Sequence, residues 1–315
     1  MEKIQNRPVC LITGCGSGLG LALARTLEKT QEFRLIVTAR KKSIPLLKEC
    51  FNEDKNLKIR ELDVTSEEQR NELVCESYKD WKGVDVLVNN AGISYRSVIE
   101  HMDYESELSQ LNTNYLGPMA LIRQVIPGMR EKGRGKIINV SSVSGMMAMP
   151  TMASYSASKH ALEGATEALW YEMKPFGIKV SLVQPGFIHS SSFQKVYFSK
   201  KAKLSEALEG PYADYYASIS PFIEKIMNFS TTTPEKISKK MLKIIRARNS
   251  PLWIPATPDA LLFFYLRKFL PRRLFHEIMY RFLPNSRFWG QKYSKLTKLN
   301  NRSPSQLSWL QQWQK

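Results

Sequence analysis

Residues Val9–Gly20 read VCLITGCGSGLG, an apolar run followed directly by a turn that holds four glycines. A run without polar interruption is typical of a strand that is buried on both faces of a parallel sheet. Glycines after such a strand allow a tight turn, and they let the backbone approach an anion held by the first N–H groups of the next helix. We therefore predict a strand, a diphosphate-binding turn and a helix, in this order.

The rest of the chain repeats the alternation of strand and helix. Further runs rich in apolar and β-branched residues are Leu35–Ala39, Leu57–Val64, Val84–Asn89, Lys136–Val140, Lys179–Val183 and Leu252–Pro255. Helical patterns between them include Gly18–Lys29, Glu67–Lys79, Glu105–Lys132 and Ser154–Phe176. This alternation predicts an α/β fold with a doubly wound, Rossmann-like parallel sheet of about seven strands.

The composition excludes several classes of protein. The 315 residues are 43% hydrophobic and 24% charged, which is typical of a globular chain and not of a disordered or fibrous one. The sequence has neither an apolar run of about 18–20 residues nor a signal-peptide pattern, so we expect a cytoplasmic protein. Four cysteines without CxxC spacing predict reduced thiols and no metal site.

Basic residues are concentrated in the last part of the chain. Residues 1–191 hold 24 Lys and Arg against 22 Asp and Glu, whereas residues 192–315 hold 22 against 7, and the net charge is +17. This asymmetry predicts contact with an anionic surface, although it would also aid solubility alone. No nucleic-acid recognition motif accompanies the charge, so we predict no nucleic-acid partner.

Six short motifs occur in an order that carries a family resemblance. They are TGCGSGLG at Thr13–Gly20, Asn90-Ala91-Gly92, Asn114 in TNYLG, Ser142 in INVSS, Tyr155-Ser156-Ala157-Ser158-Lys159, and Pro185-Gly186. Together they resemble the short-chain dehydrogenases/reductases, most closely the branch of retinol and 17β-hydroxysteroid dehydrogenases. The resemblance extends to about residue 186 and more loosely to about residue 256. It implies hydride transfer between a nicotinamide and an alcohol or carbonyl compound.

The resemblance assigns catalytic roles to Asn114, Ser142, Tyr155 and Lys159. Tyr155 would exchange the proton, Ser142 would hydrogen-bond the substrate oxygen, and Asn114 would hold a water on a proton path to Lys159. Lowering the phenol pKa from about 10 to about 7 takes roughly 4 kcal/mol. An ammonium about 4 Å away supplies about that much at an effective dielectric near 20. Tyr155 and Lys159 lie four positions apart, so one helix face presents both.

The end of the second predicted strand bears on which nicotinamide is bound. An acid expected here for the ribose of NAD is replaced by Ala39, and Arg40 and Lys41 follow. A guanidinium suits a 2′-phosphate, so we predict NADP(H), with NAD(H) as the less favoured cofactor. The alternative is that Arg40 and Lys41 are solvated loop cations that do not contact the cofactor. The other residues assigned to the cofactor are Thr13, Gly14, Ser17, Gly18, Leu19, Gly20, Asp63, Val64, Asn90, Ala91, Gly92, Tyr155, Lys159, Pro185, Gly186, Ile188 and Ser190.

Apolar and aromatic residues near the motifs predict a lipophilic substrate. We expect substrate contacts from Ser142, Met147, Met149, Tyr155 and Phe187, although core packing is the alternative for the methionines. A retinoid-like or steroid-like alcohol or carbonyl fits the branch, and reduction of a long-chain keto-lipid or fatty aldehyde is a second enzymatic hypothesis. A non-catalytic NADP(H)-binding sensor or scaffold is the hypothesis from another class.

We divide the chain into residues 1–257 and 258–315. The first part would be the catalytic, dinucleotide-binding domain, with a long aromatic segment at 187–233 bordering the substrate. The second would be a basic, amphipathic, helical extension, whose segment 260–283 is too charged to span a membrane but suits its surface. A cap on the domain's own core or a subunit contact are the alternatives. Family precedent implies a homodimer or homotetramer.

Overall fold

The computed structural model describes residues 7–189, 196–203 and 212–289. Its strands are β1 (Val9–Ile12), β2 (Arg34–Ala39), β3 (Leu57–Glu61), β4 (Val86–Asn89), β5 (Tyr95–Arg96), β6 (Gly135–Val140), β7 (Ile178–Gln184), β8 (Tyr197–Phe198) and β9 (Trp253–Pro255). Seven of these described strands form a parallel sheet in the order β3-β2-β1-β4-β6-β7-β9, and β5 pairs with β8 in a separate small sheet. The predicted doubly wound fold is confirmed.

Helices alternate with the strands along the chain. They are α1 (Gly18–Thr30), α2 (Ile44–Cys50), α3 (Glu67–Trp81), α4 (Tyr104–Leu111), α5 (Gly117–Glu131), α6 (Ala153–Met173), α7 (Lys200–Lys203), α8 (Ala213–Phe229), α9 (Pro234–Arg246), α10 (Pro258–Phe269) and α11 (Arg272–Phe282). Short 3-10 turns occur at Lys41–Ser43, Ile99–His101, Val143–Gly145, Lys174–Phe176 and Ser286–Phe288.

Helices cover both faces of the large sheet because successive strand residues point to opposite sides. In β1, Cys10 and Ile12 belong to one hydrophobic cluster, whereas Val9 and Leu11 belong to the other. On the first face the buried Lys136 donates from Nζ to the carbonyls at the end of α9, at 2.6–2.9 Å. A cation at a helix C-terminus is favourable, so this contact fixes α9 to the sheet.

The long helix predicted at Glu105–Lys132 is wrong in detail. The chain forms α4 and α5 with a π-helical turn at Asn112–Leu116 between them. This wider turn holds Asn114, which is fully buried. Its amide nitrogen donates to the Ile93 carbonyl at 2.9 Å and to Ser158 Oγ at 3.0 Å. Tertiary hydrogen bonds therefore determine the break, which periodicity alone could not indicate.

One strand boundary and one strand pairing also differ from the prediction. The third strand ends at Glu61 and does not continue to Val64. The pairing of β5 with β8 joins residues about a hundred positions apart and has no sequence pattern of its own. Ser97, just after β5, donates from its backbone N–H to the Thr151 carbonyl at 2.8 Å. The small sheet is therefore held next to the start of α6.

The carboxy-terminal helices contact the parallel-sheet domain with one face. Ala260 and Phe275 are buried together with Val143, Met146 and Met147. At the start of α10, Thr257 accepts the N–H of Gly186 at 2.9 Å, and Asp259 accepts that of Phe187 at 2.9 Å. None of the described helices combines the length and the hydropathy that crossing a membrane requires.

Candidate functional site

A cleft of about 770 Å³ opens where β1, β4, β6 and β7 end. The carboxyl ends of parallel strands meet at one edge, which is where open α/β sheets bind ligands. The predicted cofactor residues that line it are Gly14, Ser17, Leu19, Arg40, Asp63, Val64, Asn90, Ala91, Gly92, Tyr155, Lys159, Pro185, Gly186 and Ile188. Ser142 also lines this cleft, so the structure brings the motif residues together.

The glycine turn is held by contacts between motifs. Gly14 has φ +72°, and a Cβ added there would lie 2.7 Å from Ala91 Cα. Thr13 is buried, and its hydroxyl accepts the backbone N–H groups of Asn90 and Ala91, each at 3.0 Å. An added Cβ at Gly20 would collide with the Gly14 carbonyl oxygen. Thr13, Gly18 and Gly20 do not line the cleft and instead shape the turn beside it.

The end of β2 presents cations to the cleft. Ala39 is buried there, and Arg40 and Lys42 line the opening with Ser43. The prediction that Lys41 assists Arg40 is not supported, because Lys41 does not line the cleft and Lys42 does. A 3-10 turn over Lys41–Ser43 follows β2, and such a turn directs neighbouring side chains differently from a strand. Ser190 lies outside the described residues.

Tyr155 and Lys159 stand one turn apart near the start of α6. The Lys159 ammonium is buried, donates to the Val140 carbonyl at 2.9 Å and lies 5.8 Å from the centroid of the Tyr155 ring. A Cβ added at Gly92 would lie 3.2 Å from Asn114 Oδ1 and 3.7 Å from Lys159 Nζ. Asn114 and Lys159 therefore face the same small space, which a side chain at position 92 would fill.

The electrostatics of the phenol differ from the sequence expectation. Burial raises the pKa of Tyr155 above its usual value, and the Ser142 hydrogen bond and the positive charge of Arg96 oppose this rise. This direction is opposite to the expected fall toward 7, and Lys159 is not among the groups that shift the pKa of Tyr155. Burial also lowers the pKa of Lys159 to about 8, and the negative charge of Glu163 opposes this fall.

Arg96 does not line the cleft, but it is a charged neighbour of Tyr155 that the sequence did not indicate. It ends the two-residue strand β5 and is 5% exposed. Burial lowers the pKa of its guanidinium to about 10, and Tyr155 opposes that shift. The only sequence signal is an arginine four residues after Asn90-Ala91-Gly92. Its placement depends on the pairing of β5 with β8, which the sequence does not indicate.

The predicted substrate residues are only partly in place. Ser142 and Tyr155 line the cleft, whereas Met147, Met149 and Phe187 do not. Met147 is buried against Phe275 and Met149 packs at the edge of the same cluster, so packing on the carboxy-terminal helices explains both. Ser94, Val196 and Tyr197 line the cleft instead. The Tyr197 ring stacks on Tyr95 with centroids 5.1 Å apart, which gives this wall an aromatic surface.

Comparison with known proteins agrees with this arrangement. The sequence profile of the family described as short chain dehydrogenase matches residues 8–201. The chain belongs to this family. It is therefore an oxidoreductase with a Rossmann-like fold, and the family resemblance predicted from the motifs is confirmed.

Individual relatives differ in what they act on. The chain is 35% identical to a 3-ketodihydrosphingosine reductase of Bacteroides thetaiotaomicron, over 77% of this chain and 85% of that protein. It is 30% identical to 17-beta-hydroxysteroid dehydrogenase type 1 of Homo sapiens, over 78% of this chain and 76% of that protein. Among solved structures, it is similar to ElxO with NADP bound, with a TM-score of 0.64 and 28% identity over 81% of this chain and 99% of that one.

Proposed function

We propose that the protein is an NADP(H)-dependent oxidoreductase that interconverts a lipophilic alcohol and its aldehyde or ketone. The observation that carries the proposal is the convergence of Ser142, Tyr155 and Lys159 on a cleft whose other end presents Arg40 and Lys42. The first group can handle a proton at a carbonyl oxygen, and the second can hold a phosphate.

The residues present fit NADP(H). The Gly14 turn has no room for side chains and ends at the first turn of α1, where backbone N–H groups favour a diphosphate. Arg40, Lys42 and Ser43 would hold the 2′-phosphate, and an acid that would repel it is absent at Ala39. The NADP that is bound to the similar protein ElxO supports the same cofactor. NADP(H), when bound, supplies or accepts a hydride at its nicotinamide ring.

The chain's own residues would then manage the proton and the charge. Tyr155 would give its phenolic proton to the substrate oxygen in reduction and take it back in oxidation, as a general acid and base. Ser142 would hydrogen-bond the same oxygen while negative charge develops there. Lys159 would hold ribose hydroxyls and stabilise the phenolate. Asn114 would hold a water on a proton path to Lys159, and it also fixes the backbone at Ile93, since its Oδ1 accepts the Ile93 N–H at 2.9 Å.

A lipophilic substrate is the class that the cleft favours. The wall formed by Tyr197, Val196 and Ile93 offers mainly apolar contact to a ligand beside Tyr155. Retinoid-like and steroid-like compounds are our first candidates. Long-chain keto-lipids or fatty aldehydes are the second, because a relative of comparable coverage is a 3-ketodihydrosphingosine reductase. A non-catalytic NADP(H) sensor is the remaining alternative.

The deciding experiment measures NADPH oxidation against a panel of retinoids, steroids, fatty aldehydes and keto-sphingoid bases. Tyr155→Phe should lower kcat by about 10²–10⁴-fold and keep NADPH binding, because only the proton donor is lost. A protein that turns over none of these compounds, while binding NADPH normally, would favour the sensor. A double change Ala39→Asp with Arg40→Leu should move the preference toward NAD(H), and an unchanged preference would contradict the phosphate site.

We also propose that the protein is cytoplasmic and docks on anionic membrane surfaces through residues 260–283. One face of α10 and α11 is buried, yet Leu262 (56% exposed), Phe269 (70%) and Phe282 (70%) remain open to solvent. Exposed cations at Arg272 and Arg273 accompany them. Exposed apolar side chains beside cations suit acyl chains and anionic headgroups together.

Sedimentation with vesicles tests this docking. The full chain should bind phosphatidylcholine vesicles that contain phosphatidylserine and bind pure phosphatidylcholine weakly, because both attractions are needed. A Leu262→Ser, Phe269→Ser double variant should lose binding, whereas Leu46→Ser, an exposed leucine on α2, should not. Equal binding by all three proteins would overturn the proposal, and loss of dimerisation in the double variant would assign the face to a second copy.

The chain division at residue 257 and the homo-oligomer remain proposals. We propose that 258–315, of which 290–315 lie outside the described residues, act as an extension of the catalytic domain that carries the docking face. Exposed Leu108, Leu116 and Tyr171 on the α4–α6 region support a homodimer or homotetramer through these helices. Light scattering after gel filtration measures the assembly directly, and a monomer at micromolar concentration would contradict it.

A further inference from the structure

Glu163 is a buried carboxylate directly behind the candidate catalytic residues. It lies on α6, four positions after Lys159, and is 6% exposed. Its Oε1 accepts hydrogen bonds from Ser141 Oγ at 2.6 Å and from Gln184 Nε2 at 2.9 Å. Both donors are neutral. Ser141 directly follows β6 and Gln184 ends β7, at the edge of the sheet that borders the cleft.

The absence of a side chain at Gly145 leaves space for the Glu163 carboxylate. A Cβ added at Gly145 would collide with Glu163 Oε1, so a glycine is needed at that position of the 3-10 turn that follows Ser142. Burying a carboxylate is costly unless it is hydrogen-bonded and compensated by a positive charge. In the described part of the chain, the ion pairs closer than 4.0 Å involve other carboxylates and not Glu163.

Two basic residues of α6 lie close to Glu163 in sequence: Lys159 one helical turn before it, and His160 next to Lys159. Residues four apart on a helix have Cβ atoms about 6 Å apart, which is within reach of a strong interaction in a buried site. Burial lowers the pKa of the Lys159 ammonium to about 8, and Glu163 acts against that fall. In return, the rise that burial causes in the pKa of Glu163 is opposed by the hydrogen bonds from Ser141 and Gln184, and then by the charges of His160 and Lys159.

We propose that Glu163 is a positioning residue whose negative charge keeps the Lys159 ammonium protonated at the working pH. This inference rests on the proposed function, since a protonated Lys159 matters there for holding ribose and stabilising the phenolate. The charged and titratable groups around Lys159 are Tyr155, His160 and Glu163 from α6 and, through Tyr155, Arg96 from β5. When Tyr155 becomes a phenolate during the proposed reaction, the charges would alternate in sign from Arg96 through Tyr155 and Lys159 to Glu163.

The direct test is an NMR titration of Lys159 in the cofactor-free protein, using lysine labelled at its side-chain carbon and nitrogen. The signal is assigned by its loss in Lys159→Arg. Glu163→Gln keeps an oxygen for Ser141 and Gln184 but removes the charge, so the titration midpoint of Lys159 should fall by about one pH unit. Glu167→Gln, an exposed glutamate on the same helix, is the matched control and should leave the midpoint unchanged.

A midpoint in Glu163→Gln equal to the native one would overturn the proposal. Should this variant not fold, carbon NMR of the glutamate carboxylates in the unaltered protein provides the second measurement, with Glu163→Asp for assignment. The proposal requires Glu163 to be ionised at neutral pH, so a protonated Glu163 there would also overturn it.

Kinetics separate this inference from the proposed function. In reduction, the alkaline limb of the kcat/KM profile should move to lower pH in Glu163→Gln and return toward the native position in Glu163→Asp. A role in packing alone would lower stability without moving that limb. If the native protein turns over no compound of the panel while the NMR midpoint still shifts, the proposed function fails and the coupling of Glu163 to Lys159 stands.

Discussion

Gly14 and Tyr197 border the same cleft, but they reach it in different ways. Gly14 belongs to a turn whose partners are themselves motif residues, so a short pattern fixes both sides of the contact. Tyr197 reaches the cleft through β5–β8 pairing and stacking on Tyr95, and neither strand has a recognisable motif. The end of the cleft at the glycine turn is therefore defined by backbone sterics, and the end at Tyr197, where we propose that the substrate binds, by contacts between distant side chains.

The largest effect on stability is expected in the buried cluster where the segment after Ser142 packs against the carboxy-terminal helices. Phe275 is 2% exposed and packs on the segment that follows Ser142. Phe275→Ala should lower the free energy of unfolding by about 4 kcal/mol, because it leaves a cavity in that cluster. Urea unfolding measures the change. Phe269→Ala, at a 70% exposed position of α10, is the control and should change it by less than about 0.5 kcal/mol.

A steric change at the glycine turn should cost somewhat less. Gly20→Ala places a Cβ against the Gly14 carbonyl and 2.5 Å from Asn90 Nδ2, so the turn must shift. We expect a loss of about 2 kcal/mol in stability together with weaker NADPH binding, measured by calorimetry. Gly164→Ala, on α6 with no atom within 4 Å of the added Cβ, should instead stabilise by up to about 1 kcal/mol. Equal effects of the two would contradict the geometry of the turn.

The buried guanidinium of Arg96 should affect the reaction through the pKa of Tyr155. Arg96→Met removes a positive charge that favours the Tyr155 phenolate, so the pKa of Tyr155 should rise. The acidic limb of kcat/KM for alcohol oxidation should then move up by roughly one pH unit, which is about 1.4 kcal/mol. Arg96→Lys, which retains the charge, should recover part of the shift. An unmoved limb in Arg96→Met would exclude this role.

The smallest effect is expected at the exposed phosphate site. Lys42→Ala should weaken NADP(H) binding by roughly fivefold and leave NAD(H) unaffected, as expected for one solvated ionic contact. Lys41→Ala is the neighbouring control, since Lys41 does not line the cleft. Fluorescence titration with both cofactors checks the difference, and a larger effect of Lys41→Ala would restore the assignment made from sequence.

The sequence predicted the glycine turn and the motif residues of the catalytic group because each depends on residues close together in the chain. It missed Arg96 and Glu163, and it assigned Met147 to the substrate. Nothing near Arg96 in the sequence indicates that β5 lies beside the start of α6. Likewise, Met147 is buried in one cluster with Phe275, which follows it by more than a hundred residues.

The order of apolar runs and glycines determined by itself that strands alternate with helices, and hence that the ends of β1, β4, β6 and β7 meet at one edge. Local conformational preference and periodic burial depend on residues that are neighbours in the chain, so these features can be predicted without knowledge of the fold. The tertiary structure alone decided the acidity of Tyr155 and Lys159. A pKa depends on every charge and on all the water around a group. Here Arg96, from β5, acts on the pKa of Tyr155, and Glu163, from α6, acts on the pKa of Lys159.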